Sequence, residues 1–209
     1  AAVNRSIREN FFRRDYIELE TPMLQMIHGG AAARPFTTHM NALDTDLYLR
    51  IATEIYLKRA VVGGVDRVFE MNRNFRNEGM DSSHSPEFTS LEAYEAYSDY
   101  NGMAELTRDL IQQAARDAFD LSEGEEIVRL ADGTEYDLSG EWDRIDLYGS
   151  TSEALGEEIT VETPRETLVK YAERVGLEVD DYAVAGKIVE DIFEELVASK
   201  LWAPTFVYD

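Results

Sequence analysis

The stretch "FRNEGMDSSHSPEF", Phe75 to Phe88, places an Arg and a Glu two residues apart, then a polar run with turn character, then a His and a Phe. The residues before it, "DRVFEMNRNFRNE", are extended in pattern, and those after it, "EFTSLEAYEAYS", alternate apolar and polar. Two alternating runs joined by a polar loop predict a long antiparallel hairpin, with the loop from about Gly79 to Glu87. Side chains two apart on a strand point the same way, so Arg76 and Glu78 are expected on one face of the first strand. Phe88, Ser90, Glu92 and Tyr94 are expected on one face of the second. If the two faces coincide, one sheet surface carries a guanidinium, carboxylates, a phenol and a ring, with His84 on the loop above. Charges shielded on such a face demand partners or hydrogen bonds. Alternation alone equally fits two ordinary strands with a solvated, ion-paired face.

Outward from the hairpin, Val3, Ile7, Phe11 and Phe12 are spaced for a helix over 3–14, and "YIELETP", 16–22, alternates as a strand stopped by Pro22. Gly29 and Gly30 open a small-residue loop, "DLYLRI" reads as a short strand, and Thr53 is placed to cap the helix "EIYLKRAVV", which Gly63 and Gly64 end. Met103, Leu106, Leu110, Ala114 and Ala118 return to helical spacing. Residues 122–183 are acidic, with "ADGTE" as a hairpin turn and two capping-box spacings, Ser150 with Glu153 and Thr163 with Glu166 after which Pro164 takes the first helical position. They read as an inserted helical subdomain. A helical stripe of Ile188, Val189, Ile192, Phe193, Leu196 and Val197 follows, and "TFVYD" begins a strand inside which the sequence stops. The expected organisation is one α+β domain with an elaboration, an antiparallel sheet flanked by helices: a core half at 1–121, the insertion at 122–183, and a return to the core at 184–209.

The chain has 209 residues and a net charge of -22, from 42 acidic against 20 basic residues, 16 of them Arg. Such a surface repels phosphate backbones, so tight nucleic-acid binding by bulk electrostatics is not expected of this segment. There is no cysteine and only three histidines, His28, His39 and His84, which rules out disulfides and thiolate metal sites and leaves no metal ligand set to name. No apolar run is long enough to span a bilayer and no targeting leader is evident, so a cytoplasmic protein without membrane association is expected.

The full pattern R-x-E, loop, H-x-x-x-F resembles motif 2 of the class II aminoacyl-tRNA synthetases. "YIELETPML" resembles their motif 1, with Pro22 at its proline, and "HGGAAARPFTTHMNALDTDLYLRIATEIYLKRAVVGGVDRVFEMNRNFRNEG" resembles the lysyl-tRNA synthetase branch. The resemblance is nearly continuous from Arg5 to Tyr100, weakens over 122–183 and recovers from "GKIVEDIFEELV" to "APTF". It implies activation of lysine with ATP and transfer to the 3′ end of tRNA(Lys). By the match Arg76 is the catalytic residue, holding the lysine carboxylate and the α-phosphate together, a task suited to a planar, permanently charged fork. Glu78 would accept from the adenine amino group, Phe88 would stack on the base and His84 would approach the terminal phosphates.

Glu92 and Tyr94 would hold the ε-ammonium of lysine, and Glu54 with Gly30 would line the α-amino end. Taken singly, His84 also fits a loop histidine, Phe88 a core ring, Glu54 a helix-dipole carboxylate and Gly30 a bare turn. The sequence departs from the family at Ser85, where Asn is usual, and in "MDSS", which lacks the loop's usual basic residue. The anticodon-binding barrel, the carboxylates for Mg2+, a further lysine-pocket Glu and motif 3 are not in this sequence. The resemblance therefore implies a partial, inactive piece of a homodimeric enzyme joined through the motif 1 region, with Mg2+ ligands and most tRNA contacts elsewhere. Two rivals share the motifs: a paralogue that lysylates a protein or lipid, and a non-catalytic dimerisation module.

Overall fold

In the computed structural model, which describes residues 1–81 and 84–208, the ring of Phe11 stacks on Phe69 with centroids 4.4 Å apart and planes 12° from parallel. Phe12 and Tyr16 meet this pair edge-on, at 5.7 Å from Phe69 and 4.9 Å from Phe11 respectively. The cluster fixes helix α1, Ala2–Arg13, to strand β5, Arg67–Phe75. Offset and edge-on ring pairs each add about 0.5–1.5 kcal/mol beyond the area they bury. The helix buries Ser6, Asn10 and Phe11, leaving Val3 and Phe12 exposed, so its inward stripe is rotated from the one the apolar spacing predicts.

The chain forms two compact units that divide after Met103. In the first, strand β1 is only Ile17–Glu18, and it pairs parallel with β5. Strand β2, Leu24–Gln25, follows Pro22 and joins β4, Thr45–Leu49, and β3, Thr37–Met40, in a separate antiparallel sheet. Of the alternating strand expected over 16–22 only Ile17–Glu18 pairs, and the next strand, β2, begins after Pro22 in a different sheet. Helix α2, Glu54–Val62, follows β4 and packs against both β5 and β6, Glu87–Glu95.

The hairpin forms as predicted: β5 and β6 pair antiparallel over nine residues each, from Arg67↔Glu95 to Phe75↔Glu87. Directly opposed residues share a face, so Val68, Glu70, Asn72 and Asn74 lie on the same side as Tyr94, Glu92, Ser90 and Phe88. The other side carries Phe69 and the ring cluster of α1.

Helix α3, Tyr100–Phe119, spans this division, and the second unit goes on with the hairpin of β7, Ile127–Arg129, and β8, Glu135–Asp137. Strand β9, Asp143–Asp146, leads into α4, Leu147–Leu155, then α5, Arg165–Arg174, and α6, Ala185–Leu196. Ile159, Leu168, Ala172, Ile188, Val189 and Ile192 form the core between these helices, which is the predicted α6 stripe in use. Strand β10, Thr205–Tyr208, pairs parallel with β9. Among the described residues four ladders are antiparallel, β5–β6, β2–β4, β3–β4 and β7–β8, while β1–β5 and β9–β10 are parallel.

Neither capping box is used. Helix α4 begins earlier than expected, capped by Asp146, whose carboxylate accepts from Gly149 N, and Ser150 sits inside the helix donating back to Asp146 O over 2.6 Å. Helix α5 starts after Pro164, and the Thr163 hydroxyl accepts from Thr160 N over 2.8 Å. Bonds from a side-chain hydroxyl to its own loop compete with capping, and α5 has no side-chain cap.

Candidate active site

The hairpin ladder stops at Phe75, so Arg76 and Glu78 are not strand residues. Arg76 N still donates to Pro86 O over 2.9 Å, which carries the pairing one rung further and keeps Arg76 on the face of Asn74. The chain then turns onto another partner. Asn77 N donates to Arg34 O over 2.8 Å, and Glu78 Oε1 accepts from Arg34 N over 3.2 Å. Glu78 is thus held by the loop before β3 and not by its own strand.

The Arg76 guanidinium carbon lies 5.2 Å from the centroid of the Phe88 ring. Its Nε is buried and has no hydrogen-bond partner among the described residues. A buried, unpaired guanidinium nitrogen is costly, and buried polar groups as a rule have a hydrogen-bond partner. Next along the face, Asn74 donates to Ser90 Oγ over 2.6 Å, and its own Oδ1 is also buried without a partner.

Further along the same face stands Glu92, half-buried. Its Oε1 accepts from Thr53 N over 3.0 Å and its Oε2 from the Tyr94 hydroxyl over 3.0 Å. Thr53 therefore binds Glu92 through its backbone, and its hydroxyl does not cap α2. The Tyr94 phenol is pushed well above its ordinary value by burial first, then by its bond to Glu92 and the nearby charges of Glu92 and Glu54. It remains a donor throughout the physiological range.

Glu54, the first residue of α2, pairs with Lys58 over 2.7 Å, and the Lys58 ammonium also lies 5.7 Å from the centre of the Tyr94 ring. Gly30 closes this corner. It has φ +89°, and a Cβ there would come within 2.9 Å of Glu54 Cβ and 3.2 Å of Ala52 Cβ. Both the backbone conformation and the space require glycine.

His84 is exposed, and both its backbone N, at 2.8 Å, and its Nδ1, at 2.9 Å, meet the Asp81 carboxylate. It shares no bond with the other expected site residues among those described. Ser82 and Ser83, part of the loop whose lack of a basic residue the sequence shows, lie outside the described residues. Ser85 Oγ donates to Glu87 O over 2.9 Å.

The sequence reading passed over the buried support. Arg50 and Glu70 are both fully buried and pair over 2.8 Å. Arg50 also donates to Arg73 O over 2.8 Å and to Thr21 O and Oγ1, each over 3.0 Å, tying the segment before Pro22 to β5. Period-two counting back from Arg76 through Asn74 and Asn72 would have found Glu70. Nothing in the sequence pairs it with Arg50. A cavity of about 600 Å³ opens at the other end of the hairpin, lined in part by Asp15, Asp66, Arg67, Glu95 and Tyr97. It contains none of the expected site residues. Among the described residues no group of three or more His, Asp or Glu is arranged to hold a metal ion.

The hairpin thus presents Arg76 and Phe88 beside Glu92 and Tyr94, and the model of the class II tRNA synthetases (D, K and N) matches residues 1–209. The chain belongs to that family. It is 58% identical over 208 residues to a lysine–tRNA ligase of Kineococcus radiotolerans and 59% identical over 210 residues to one of Mycolicibacterium gilvum. These matches cover 99% and 100% of the chain and 41% of each relative. The chain is thus a fragment, spanning about two fifths of the relatives' length. It is also 49% identical over 213 residues to a lysylphosphatidylglycerol biosynthesis bifunctional protein of Mycolicibacterium vanbaalenii, 19% of which is covered.

Proposed function

We propose that the protein to which this chain belongs is an ATP-dependent lysine–tRNA ligase, and that this chain carries the nucleotide-clamping and ammonium-recognising half of its catalytic core. The carrying observation is that one face of the β5–β6 hairpin joins Arg76 and Phe88 to Glu92 and Tyr94, with Glu54 and Gly30 against it. The similarity to lysine–tRNA ligases supports the choice of amino acid.

In this reading Phe88 stacks on adenine, Glu78 accepts from its amino group through the loop held by Arg34, and His84 reaches the terminal phosphates. Arg76 bridges the lysine carboxylate and the α-phosphate. A carboxylate oxygen attacks the α-phosphorus, the bond to the β-phosphate's bridging oxygen breaks, and pyrophosphate leaves. Positioning and charge stabilisation supply most of the protein's contribution to such a step. The tRNA 3′ hydroxyl then attacks the carbonyl and AMP leaves.

Glu92 and Tyr94 hold the substrate ε-ammonium, and Glu54 with Gly30 the α-amino end. The chain's own Lys58 ammonium already rests between Glu54 and the Tyr94 ring, which supports the affinity of this corner for ammonium groups. Among the described residues no group of three or more His, Asp or Glu stands together, and no step above is routed through Mg2+. We assign its ligands to the rest of the protein, together with most tRNA contacts. Exposed Phe12, Ile17, Leu24, Met26 and Ile27 around motif 1 support a homodimer interface there. Residues 122–183 are assigned as the inserted segment of the sequence, between 1–121 and 184–209. We assign a cytoplasmic role from the similarity to lysine–tRNA ligases; among the described residues no helix is long and apolar enough to cross a membrane.

The bifunctional relative motivates a second reading, lysine transfer to a lipid. Incubating the full-length protein with ATP, radiolabelled lysine, and either tRNA(Lys) or phosphatidylglycerol vesicles tests the choice. Label in acid-precipitable tRNA alone is expected, and label in the lipid extract would favour the second reading.

A further inference from the structure

Glu70 and Glu92 are directly opposed in the β5–β6 register and share a face, yet their surroundings differ in charge. Side chains opposed in this way have Cβ atoms about 4.5–5.5 Å apart, close enough for like charges to repel. Glu70 is fully buried and saturated. Its oxygens accept from Arg50 at 2.8 Å, from Thr21 N at 3.2 Å, from Thr21 Oγ1 at 2.5 Å and from Asn72 Nδ2 at 3.2 Å. Glu92 is half-buried, and its two donors, Thr53 N and the Tyr94 hydroxyl, are both neutral. Among the described residues it has no cationic partner. Of the other charged groups at this face, Arg76 lies further along the ladder against the Phe88 ring, and Glu54 and Lys58 of α2 pair with each other.

One internal cation thus serves two opposed carboxylates, and it is committed to the one that the solvent does not reach. We propose that Glu70 is a specificity-positioning residue, which neutralises Arg50 inside the protein and so leaves Glu92 as the uncompensated carboxylate that a cationic substrate must satisfy. Removing the charge of Glu70 leaves Arg50 buried, ionised and without its anion. An arginine so placed cannot neutralise itself by losing a proton, so its remaining recourse is the carboxylate across the ladder. Arg50 then competes with the substrate ammonium for Glu92. Removing both charges abolishes the competition, and paired replacement of a buried ion pair by neutral groups of similar volume is often close to neutral for folding.

This inference rests on the reading of Glu92 as the ammonium ligand. It is tested on the full-length protein by lysine-dependent exchange of pyrophosphate into ATP, with KM for lysine, KM for ATP and kcat measured separately. Glu70→Gln should raise KM for lysine by roughly tenfold or more through competition by an internal charge, leaving KM for ATP and kcat within about twofold. Glu70→Asp, which keeps the charge, should restore most of the loss. The pair Arg50→Met with Glu70→Gln, which strands no charge and is the informative variant should Glu70→Gln alone fail to fold, should bring KM for lysine back toward the parent. A pair with KM for lysine as high as Glu70→Gln, or well above the parent where the single variant does not fold, would overturn the proposal. So would a Glu70→Gln variant in which both KM values rise together. Glu92→Gln, run in parallel, separates the two levels: if it leaves KM for lysine unchanged, the reading of Glu92 fails; if it raises KM while Glu70→Gln does not, this inference alone fails.

Discussion

The Tyr94 hydroxyl donates to Glu92 across 3.0 Å while Thr53 N donates to the other oxygen at the same distance, so both oxygens of that carboxylate are oriented by neutral donors. Among the described residues no cation pairs with this carboxylate, and in the proposed reading the substrate ammonium does. Loss of one partner from a shielded ion pair costs about 3–5 kcal/mol, so Glu92→Gln should raise KM for lysine by roughly two orders of magnitude or more. KM for ATP should change little, because Phe88 and Arg76 lie further along the ladder. Steady-state exchange kinetics with each substrate varied in turn checks this.

Tyr94→Phe removes the donor to Glu92 Oε2 and keeps the ring beside Lys58. An uncharged donor to a carboxylate is worth about 1.5–3 kcal/mol, which converts to a KM for lysine raised roughly tenfold to a hundredfold. The same variant should bind ATP as the parent does. Titration calorimetry of the full-length protein with each ligand reads both.

Gly30→Ala tests the corner between the small-residue loop and α2. The new Cβ meets Glu54 Cβ at 2.9 Å, which is the base of the side chain and cannot swing away, and φ +89° adds backbone strain. The loop must move, and Glu54 with it. The expected outcome is a raised KM for lysine together with a lowered melting temperature, since the clash and the strain both raise the energy of the folded state.

Glu126 of the second unit provides a pH test of stability. Burial pushes its carboxyl up, but bonds from Arg116 and from backbone N–H groups, including that of Gly124, outweigh this and hold it below its ordinary value. The unfolded chain therefore takes up this proton more readily than the folded one. Stability from this group is complete above the ordinary carboxylate range and is lost as pH falls through the lower folded value. Glu126→Gln should melt below the parent at pH 7, and the gap should narrow toward pH 3 in thermal unfolding followed by circular dichroism. A gap constant across that range would contradict the assignment.

How far the sequence carried the fold depended on whether the deciding interaction was local. The hairpin was legible because period-two alternation on both sides of a polar loop is local, and the α6 stripe because its core is built from one helical face. The end of β5 at Phe75 was not legible, since Arg34, more than forty residues away in the chain, takes over the partners of Asn77 and Glu78. The cap spacings at Ser150 and Thr163 misled because Asp146 and the Thr160 turn compete for the same groups.

In the candidate site, the face shared by Phe88, Ser90, Glu92 and Tyr94 followed from alternation, and the opposite strand's contribution followed once the register was known. Arg50 and Glu70 escaped because a charge pair between β4's end and β5 leaves no mark on either segment alone. His84 was placed correctly on the connection, but its bond to Asp81 depends on a turn that residue type does not specify.

The central claim is that this chain helps activate lysine as an adenylate. Exchange of labelled pyrophosphate into ATP by the full-length protein, measured across lysine, ornithine, aspartate and no amino acid, tests it most directly. The account predicts exchange that requires lysine and falls at least roughly a hundredfold in Glu92→Gln at subsaturating lysine. Exchange driven equally by ornithine or aspartate, or proceeding without any amino acid, would contradict it.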